Sequence, residues 1–142
     1  MQQSMLRGRC LCGAVTYSIA TSLKRITHCH CSMCRKQHGA AFATYALIGR
    51  EHVTIADAGG RLRSYRSSPG MFRQFCGECG STLFGHAAAT PQLIDLALGT
   101  LDDDPEKGAF AHIYVASKAP WYEITDALPQ YPEQTPDPAS SG

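Results

Sequence analysis

Apolar and polar residues alternate along this chain in short runs of period two, with no long helical stripe. The runs are "AVTYSI" (Val15, Tyr17, Ile19), "AFATYALI" (Phe42 to Ile48), "HVTI" (Val53, Ile55), "RLRSYRS", "MFRQFC", "STLFGH", "LIDLALG" and "HIYV". Each predicts a half-buried strand. Turn signals separate them, among them "AGG" at 58–60, "SSPG" at 67–70 and "DDDPEKG" at 102–108. That punctuation is common in sandwiches and open barrels, so the chain is expected to be mainly β. Two stretches read as short helices. "SMCRKQHG" has Ser32 as N-cap and Gly39 as stop, and "APWYEITD" has Pro120 near the start of a turn or two. After Leu128 the sequence "PQYPEQTPDPASSG" has few large apolar residues and reads as a frayed tail or extended arm. The expected organisation is a single domain over residues 1–131 and a flexible Pro-rich tail over 132–142, without internal repeats.

Length and composition narrow the function classes. A chain of 142 residues suits one domain with a continuous core. Thirteen basic against twelve acidic side chains leave a net charge of +1, so no global field draws the chain to nucleic acid or anionic lipid. No apolar run approaches the roughly 20 residues that a bilayer requires. Neither nucleic acid nor a membrane is expected as a partner. The start, "MQQSMLRGRCLCG", lacks the apolar h-region of a secretory signal, which predicts the cytoplasm. Thiols stay reduced there, so the seven cysteines read as metal ligands or reactive thiols before disulfides.

All seven fall into three clusters: Cys10-x-Cys12, Cys29-x-Cys31-x-x-Cys34 and Cys76-x-x-Cys79. Residues two apart on a strand share a face at about 6.6 Å between Cα atoms, near enough for their sulfurs to lean together. A tetrahedral zinc site with bonds of about 2.3 Å needs sulfurs about 3.8 Å apart, which C-x-C and C-x-x-C pairs can supply. Gly77 and Gly80 each follow a cysteine and allow a tight turn there. Seven thiolates divide into four plus three. Four close a structural site, whereas three keep a position free for water or substrate. Spacing leaves two partitions open: Cys10 and Cys12 joining Cys76 and Cys79, or the two C-x-x-C pairs joining each other. Compactness favours the first, which keeps Cys29, Cys31 and Cys34 as one local triad. His28, His30 or His38 could instead complete that triad as a second closed site. His28 and His30 alternate with the cysteines on an extended segment and point away, leaving His38 the credible rival.

The order "RGRCLCGAVTY", "HCHCSMCRKQHGA", "FRQFCGECGSTLF", "ALGTLDD" and "HIYVASKAPWYEITDALPQY" resembles the glutathione-dependent formaldehyde-activating enzyme family, which includes centromere protein V. The resemblance runs from about Gly8 to Tyr131. It implies the zinc-binding, mainly β fold which that family shares with a guanine-nucleotide-exchange chaperone of Rab proteins, with one or two short helices. It also implies two zinc ions, a structural one on Cys10, Cys12, Cys76 and Cys79 and a catalytic one on Cys29, Cys31 and Cys34. The implied activity is that of a carbon-sulfur lyase, the reversible joining of glutathione and formaldehyde to S-hydroxymethylglutathione, with a small thiol and an aldehyde as partners.

Other residues read more plainly. Arg35 and Lys36 beside the triad could meet substrate carboxylates, although solvated helix charges are commoner. His30 and His38 could shuttle a proton. Trp121 reads as a core or lid residue, Asp102 to Asp104 as an exposed turn, and His86 and His112 as half-buried strand residues. The competing function class is a non-catalytic binding module in which zinc only stabilises a β scaffold.

Overall fold

Strands form at each expected run. A computed structural model describes residues 5–136, and its elements in chain order are β1 (Leu6–Arg9), β2 (Thr16–Ile19), β3 (Arg25–Cys29), α1 (Ser32–His38), β4 (Ala43–Gly49), β5 (Val53–Ala56), β6 (Leu62–Ser68), β7 (Met71–Cys76), β8 (Thr82–Ala87), β9 (Leu93–Ala97) and β10 (Ala111–Ile113). The mainly β expectation is borne out. Strands β1 and β3 lie outside the expected runs. β3, "RITHC", is buried on both faces and so shows no alternation to read.

The strands make a small sheet in the order β1-β2-β5 and a seven-stranded sheet in the order β10-β3-β4-β9-β8-β7-β6. All pairings are antiparallel except β10 with β3, where Ile113 lies opposite Cys29. The small sheet covers one face of the large one over a core that includes Val15, Tyr17, Ile19, Ile26, Ile48, Leu83, Phe84, Ile94 and Leu96. Gly8 is required where the layers meet. A Cβ there would stand 2.2 Å from the Tyr17 hydroxyl, whose oxygen lies 2.6 Å from Thr100 Oγ1. The opposite face of the large sheet carries α1 and a second, smaller cluster of Cys29, Cys34, Ala43, Tyr45, Ala97 and Ile113.

Helix α1 differs from expectation at its start. Cys31, not Ser32, is the N-cap, and its sulfur accepts a hydrogen bond from the Cys34 backbone N–H at 3.3 Å. The expected stop holds, because Gly39 takes the left-handed conformation at φ 61° and donates to Arg35 O. The second expected helix is absent among the described residues; 120–121 form a turn and the segment beyond is irregular. The chain beyond Leu128 is held for longer than expected. Tyr131 N–H donates to His112 O at 2.9 Å, Tyr114 N–H to Glu133 O at 2.9 Å, and the Arg25 guanidinium to buried Thr135 at 3.1 Å. Residues 129–135 are thus an arm docked along β10, residues 114–116 and Arg25 of β3, and residues 137–142 of the expected tail lie outside the described residues. No helix among the described residues is long and apolar enough to cross a membrane.

Candidate metal centre

The fold gathers the seven cysteines into two groups. In each, the sulfurs all lie within 4.8 Å of one another: Cys10, Cys12, Cys76 and Cys79 in one, Cys29, Cys31 and Cys34 in the other. All seven are free thiols.

The four-cysteine group joins two tight turns. Cys10 and Cys12 leave β1 and enter a turn, so this pair is not on a strand as its spacing alone allowed. Cys76 ends β7, and Gly80 at φ 80° donates its N–H to Cys76 O at 2.8 Å, curling Cys79 back toward Cys76. Sulfur separations are 3.7 Å between Cys10 and Cys12 and 3.8 Å between Cys12 and Cys76, the edge of a tetrahedral thiolate site. Backbone N–H groups point inward, Val15 onto Cys10 Sγ at 3.3 Å and Glu78 onto Cys76 Sγ at 3.4 Å. Ser81 ties the two turns together. Its Oγ accepts from Leu11 N–H at 2.9 Å and lies 3.2 Å from Cys79 Sγ, holding that thiol down to about 5.

The three-cysteine group sits between the sheet and α1. Cys29 ends β3, Cys31 caps α1 and Cys34 projects from the helix onto the sheet; Cys29 and Cys34 are buried and Cys31 is half-buried. Contacts with Cys29 and Cys34, the Cys34 N–H and the nearby Arg73 charge hold Cys31 far below the usual thiol range. The contacts of Cys29 with Cys31 and Cys34, with burial, push Cys29 far above it. Three crowded thiols do not all ionise unaided, and a soft divalent cation is what stabilises three thiolates together. The donor set fits such an ion.

No fourth cysteine or histidine belongs to this group among the described residues. His38 Nε2 lies 3.0 Å from the Tyr45 hydroxyl instead, and burial lowers its pKa. His28 and His30 lie on the other face of the sheet. His28 Nδ1 lies 2.8 Å from Thr44 Oγ1. His30 Nε2 lies 2.8 Å from His112 Nδ1, and His112 Nε2 lies 2.9 Å from an Asp126 oxygen. With His112 donating to the carboxylate, its Nδ1 accepts from His30, and His30 Nδ1 is left buried without a partner. His112 is therefore fully buried and paired, where half-burial was expected. Trp121 corrects a second expectation: it is 71% exposed, with its ring edge-on to that of Tyr122.

An open groove of about 460 Å³ runs between the two groups, lined by Gln37 and His38 of α1, by Ser81 and Thr82 beside the C-x-x-C turn, and by Thr44 and Thr100. A smaller pocket of about 290 Å³ extends it past Tyr65 and Phe75 and shares Gln37, Gly80 and Thr82. Arg73, unremarked in the sequence, links groove and triad. Its Nη1 donates to Gln37 Oε1 at 3.1 Å and lies 3.5 Å from Cys34 Sγ. Strand alternation carries the one available signal, since Arg73 shares its face of β7 with Met71 and Phe75. The His112 to Asp126 pair carries none.

A family model described as glutathione-dependent formaldehyde-activating enzyme matches residues 5–117. The chain belongs to this family. Among relatives that carry the same name by provisional assignment, one from Halomonas elongata is 28% identical over 128 residues, covering 84% of this chain and 81% of the relative. Two from Aspergillus flavus and Aspergillus oryzae are 30% identical over 117 residues. Those alignments cover 80% of this chain and 54% of each relative, so the chain spans about half the length of these two relatives. A crystal structure of a Rhodobacter sphaeroides protein shares the fold, with a TM-score of 0.57 and 21% identity over 70% of this chain and 92% of that one.

Proposed function

We propose that the chain is a zinc-dependent carbon-sulfur lyase that makes or cleaves a small thiol adduct, S-hydroxymethylglutathione being the adduct its family membership suggests. Cys10, Cys12, Cys76 and Cys79 hold a structural zinc in this reading, and Cys29, Cys31 and Cys34 hold a catalytic one. The observation that carries it is the three-thiol group, with no fourth candidate ligand among the described residues and with Cys31 half-buried. Seven free thiols suit a reducing compartment, in keeping with the cytoplasm.

A zinc ion on three thiolates would supply a Lewis acid with one position left for a soft ligand, which favours the deprotonated form of a thiol. The protein's own part is to orient and to move protons. In the forward direction the substrate sulfur lone pair attacks the aldehyde carbon, a C–S bond forms, the C=O π pair moves to oxygen, and that oxygen takes a proton. In reverse the C–S bond breaks and the sulfur keeps the pair. His38 lines the groove, stays neutral through burial, and is oriented by Tyr45, so its ring can take the thiol proton and return one to the developing alkoxide. Gln37, Thr44, Thr82 and Thr100 line the groove with neutral hydrogen-bonding groups suited to the amides of a peptide thiol.

X-ray absorption of the zinc-loaded protein, with and without glutathione, tests the reading together with NMR exchange between glutathione, formaldehyde and their adduct. Expected are two zinc ions, one on four sulfurs and one on three sulfurs and a light atom that gives way to sulfur when thiol is added. Two closed sites indifferent to thiol, with no acceleration of exchange, would instead describe a zinc-stabilised binding module.

A further inference from the structure

Three thiolates and a divalent ion sum to a charge of minus one, and a substrate thiolate in the free position brings it to minus two. Negative charge in a site with two buried ligands is costly unless an opposite charge lies close. The four-cysteine group answers this with backbone N–H groups, Ser81 and solvent, since Cys12 is exposed. The triad has a different answer.

Arg73 is 4% exposed, and none of the ion pairs among the described residues includes it. Its Nε donates to Ser67 Oγ at 3.0 Å and its Nη1 to Gln37 Oε1 at 3.1 Å, both neutral acceptors. Its thiol contact is Cys34 Sγ, 3.5 Å from Nη1, and its charge also acts on Cys31, Tyr45 and Asp95. Asp95, the nearest carboxylate by strand register across Gly85, makes no ion pair with it. A buried guanidinium with no carboxylate in ion-pair contact among the described residues is costly, as are the thiolates it faces, and each relieves the other. Ser67 and Gln37 fix the fork so that the charge stays on the Cys34 side, while Gln37 also lines the groove.

We propose that Arg73 is the positioning residue that sets the charge of the three-cysteine site, offsetting one thiolate so that the site keeps its metal and still accepts an anionic sulfur from a small thiol. The assignment rests on the reading of the triad as an open metal site. Its test uses the full chain loaded with cobalt(II), wild type against Arg73→Gln and Arg73→Lys. The affinity for the second cobalt is read by chelator competition, and glutathione binding by sulfur-to-cobalt charge-transfer absorption.

Arg73→Gln is expected to weaken the second cobalt and the bound thiol by at least about tenfold each, the low end for removing a close opposite charge. The first cobalt and the far-ultraviolet circular dichroism stay as in wild type, and Arg73→Lys recovers most of the loss because it restores the charge. Values within about twofold of wild type for Arg73→Gln, or an Arg73→Lys as impaired as Arg73→Gln, overturn the charge role. Should Arg73→Gln not fold, Arg73→Lys alone decides: it keeps the charge and gives up the guanidinium fork, so second-cobalt affinity within about threefold of wild type supports the proposal and a tenfold loss overturns it. Uptake of a single cobalt by wild type removes both the proposal and the open-site reading. Normal cobalt and thiol behaviour with no turnover of S-hydroxymethylglutathione leaves Arg73's role standing and removes only the lyase reading.

Discussion

The two cysteine groups use the same ligand atom and differ in everything around it. The four-cysteine group is built from two turns at the edge of the core, where Cys10 and Cys76 are buried and Cys12 is exposed. Its sulfurs are met by local backbone N–H groups, and its contacts tie the β1 turn to the end of β7 across the two sheets. The three-cysteine group is contiguous in sequence and joins only β3 to α1, yet its surroundings come from far away: Arg73 from β7, Tyr45 from β4, Ile113 from β10. One group cross-links distant chain with a nearby shell, and the other is local chain in a distant shell. On the zinc reading proposed above, the first group would stabilise the fold, and the second could vary its metal or ligand without unfolding it.

Substitutions should separate the groups in that order. Cys76→Ser removes a buried ligand that spans both sheets, and the metal-coupled folding energy of a closed thiolate site is on the order of 10 kcal/mol. The variant is expected to be unfolded at 25 °C by circular dichroism, and a cooperative melt near that of wild type would break the comparison. Cys31→Ser should leave the melt within a few degrees of wild type, reduce bound zinc from two to one by atomic absorption, and lower turnover at least about 100-fold. Loss of the fold in that variant would make the triad architectural.

Smaller effects sharpen the contrast. Ser81→Ala deletes the acceptor for Leu11 N–H and the partner of Cys79, and should cost about 1–2 kcal/mol in urea denaturation while leaving second-metal affinity unchanged. Asp95 belongs to the triad's face of the sheet, and burial, partly offset by Arg73, raises its carboxyl to about 6. Between the ordinary carboxylate range and that value the folded chain holds a proton that the unfolded chain has released. Stability therefore falls as pH rises through about 4 to 6 and stays lower above it. Asp95→Asn should remove that slope and be more stable than wild type by about 1 kcal/mol at pH 7. Equal urea midpoints for the two proteins at pH 4 and at pH 7 would show that the carboxyl has no such burden.

Much of this was legible before any fold was known. Eight alternating runs announced their strands because a half-buried strand must alternate, while β3 was hidden because both its faces are covered. Gly39 was readable as a helix stop because the left-handed conformation favours glycine. Ser32 was misread as the cap because a cysteine one residue earlier accepts the same hydrogen bond through sulfur. For the segment after Leu128 composition left a frayed tail and an extended arm both open, because the ties that dock it are mostly backbone hydrogen bonds to β10 and residues 114–116, which composition does not encode.

By itself, then, the sequence determined the mainly β class, eight of the strands, the clustering of every cysteine and the family, all of which depend on short-range spacing and residue chemistry. The tertiary structure alone decided which clusters meet, since Cys10 and Cys76 become neighbours only when two sheets close on one core. It alone turned His38 toward Tyr45 and His30 toward His112, and it alone brought Arg73 to Cys34. Those contacts join residues on different elements of the fold, and the packing of helix on sheet and strand beside strand sets them where sequence spacing has no reach.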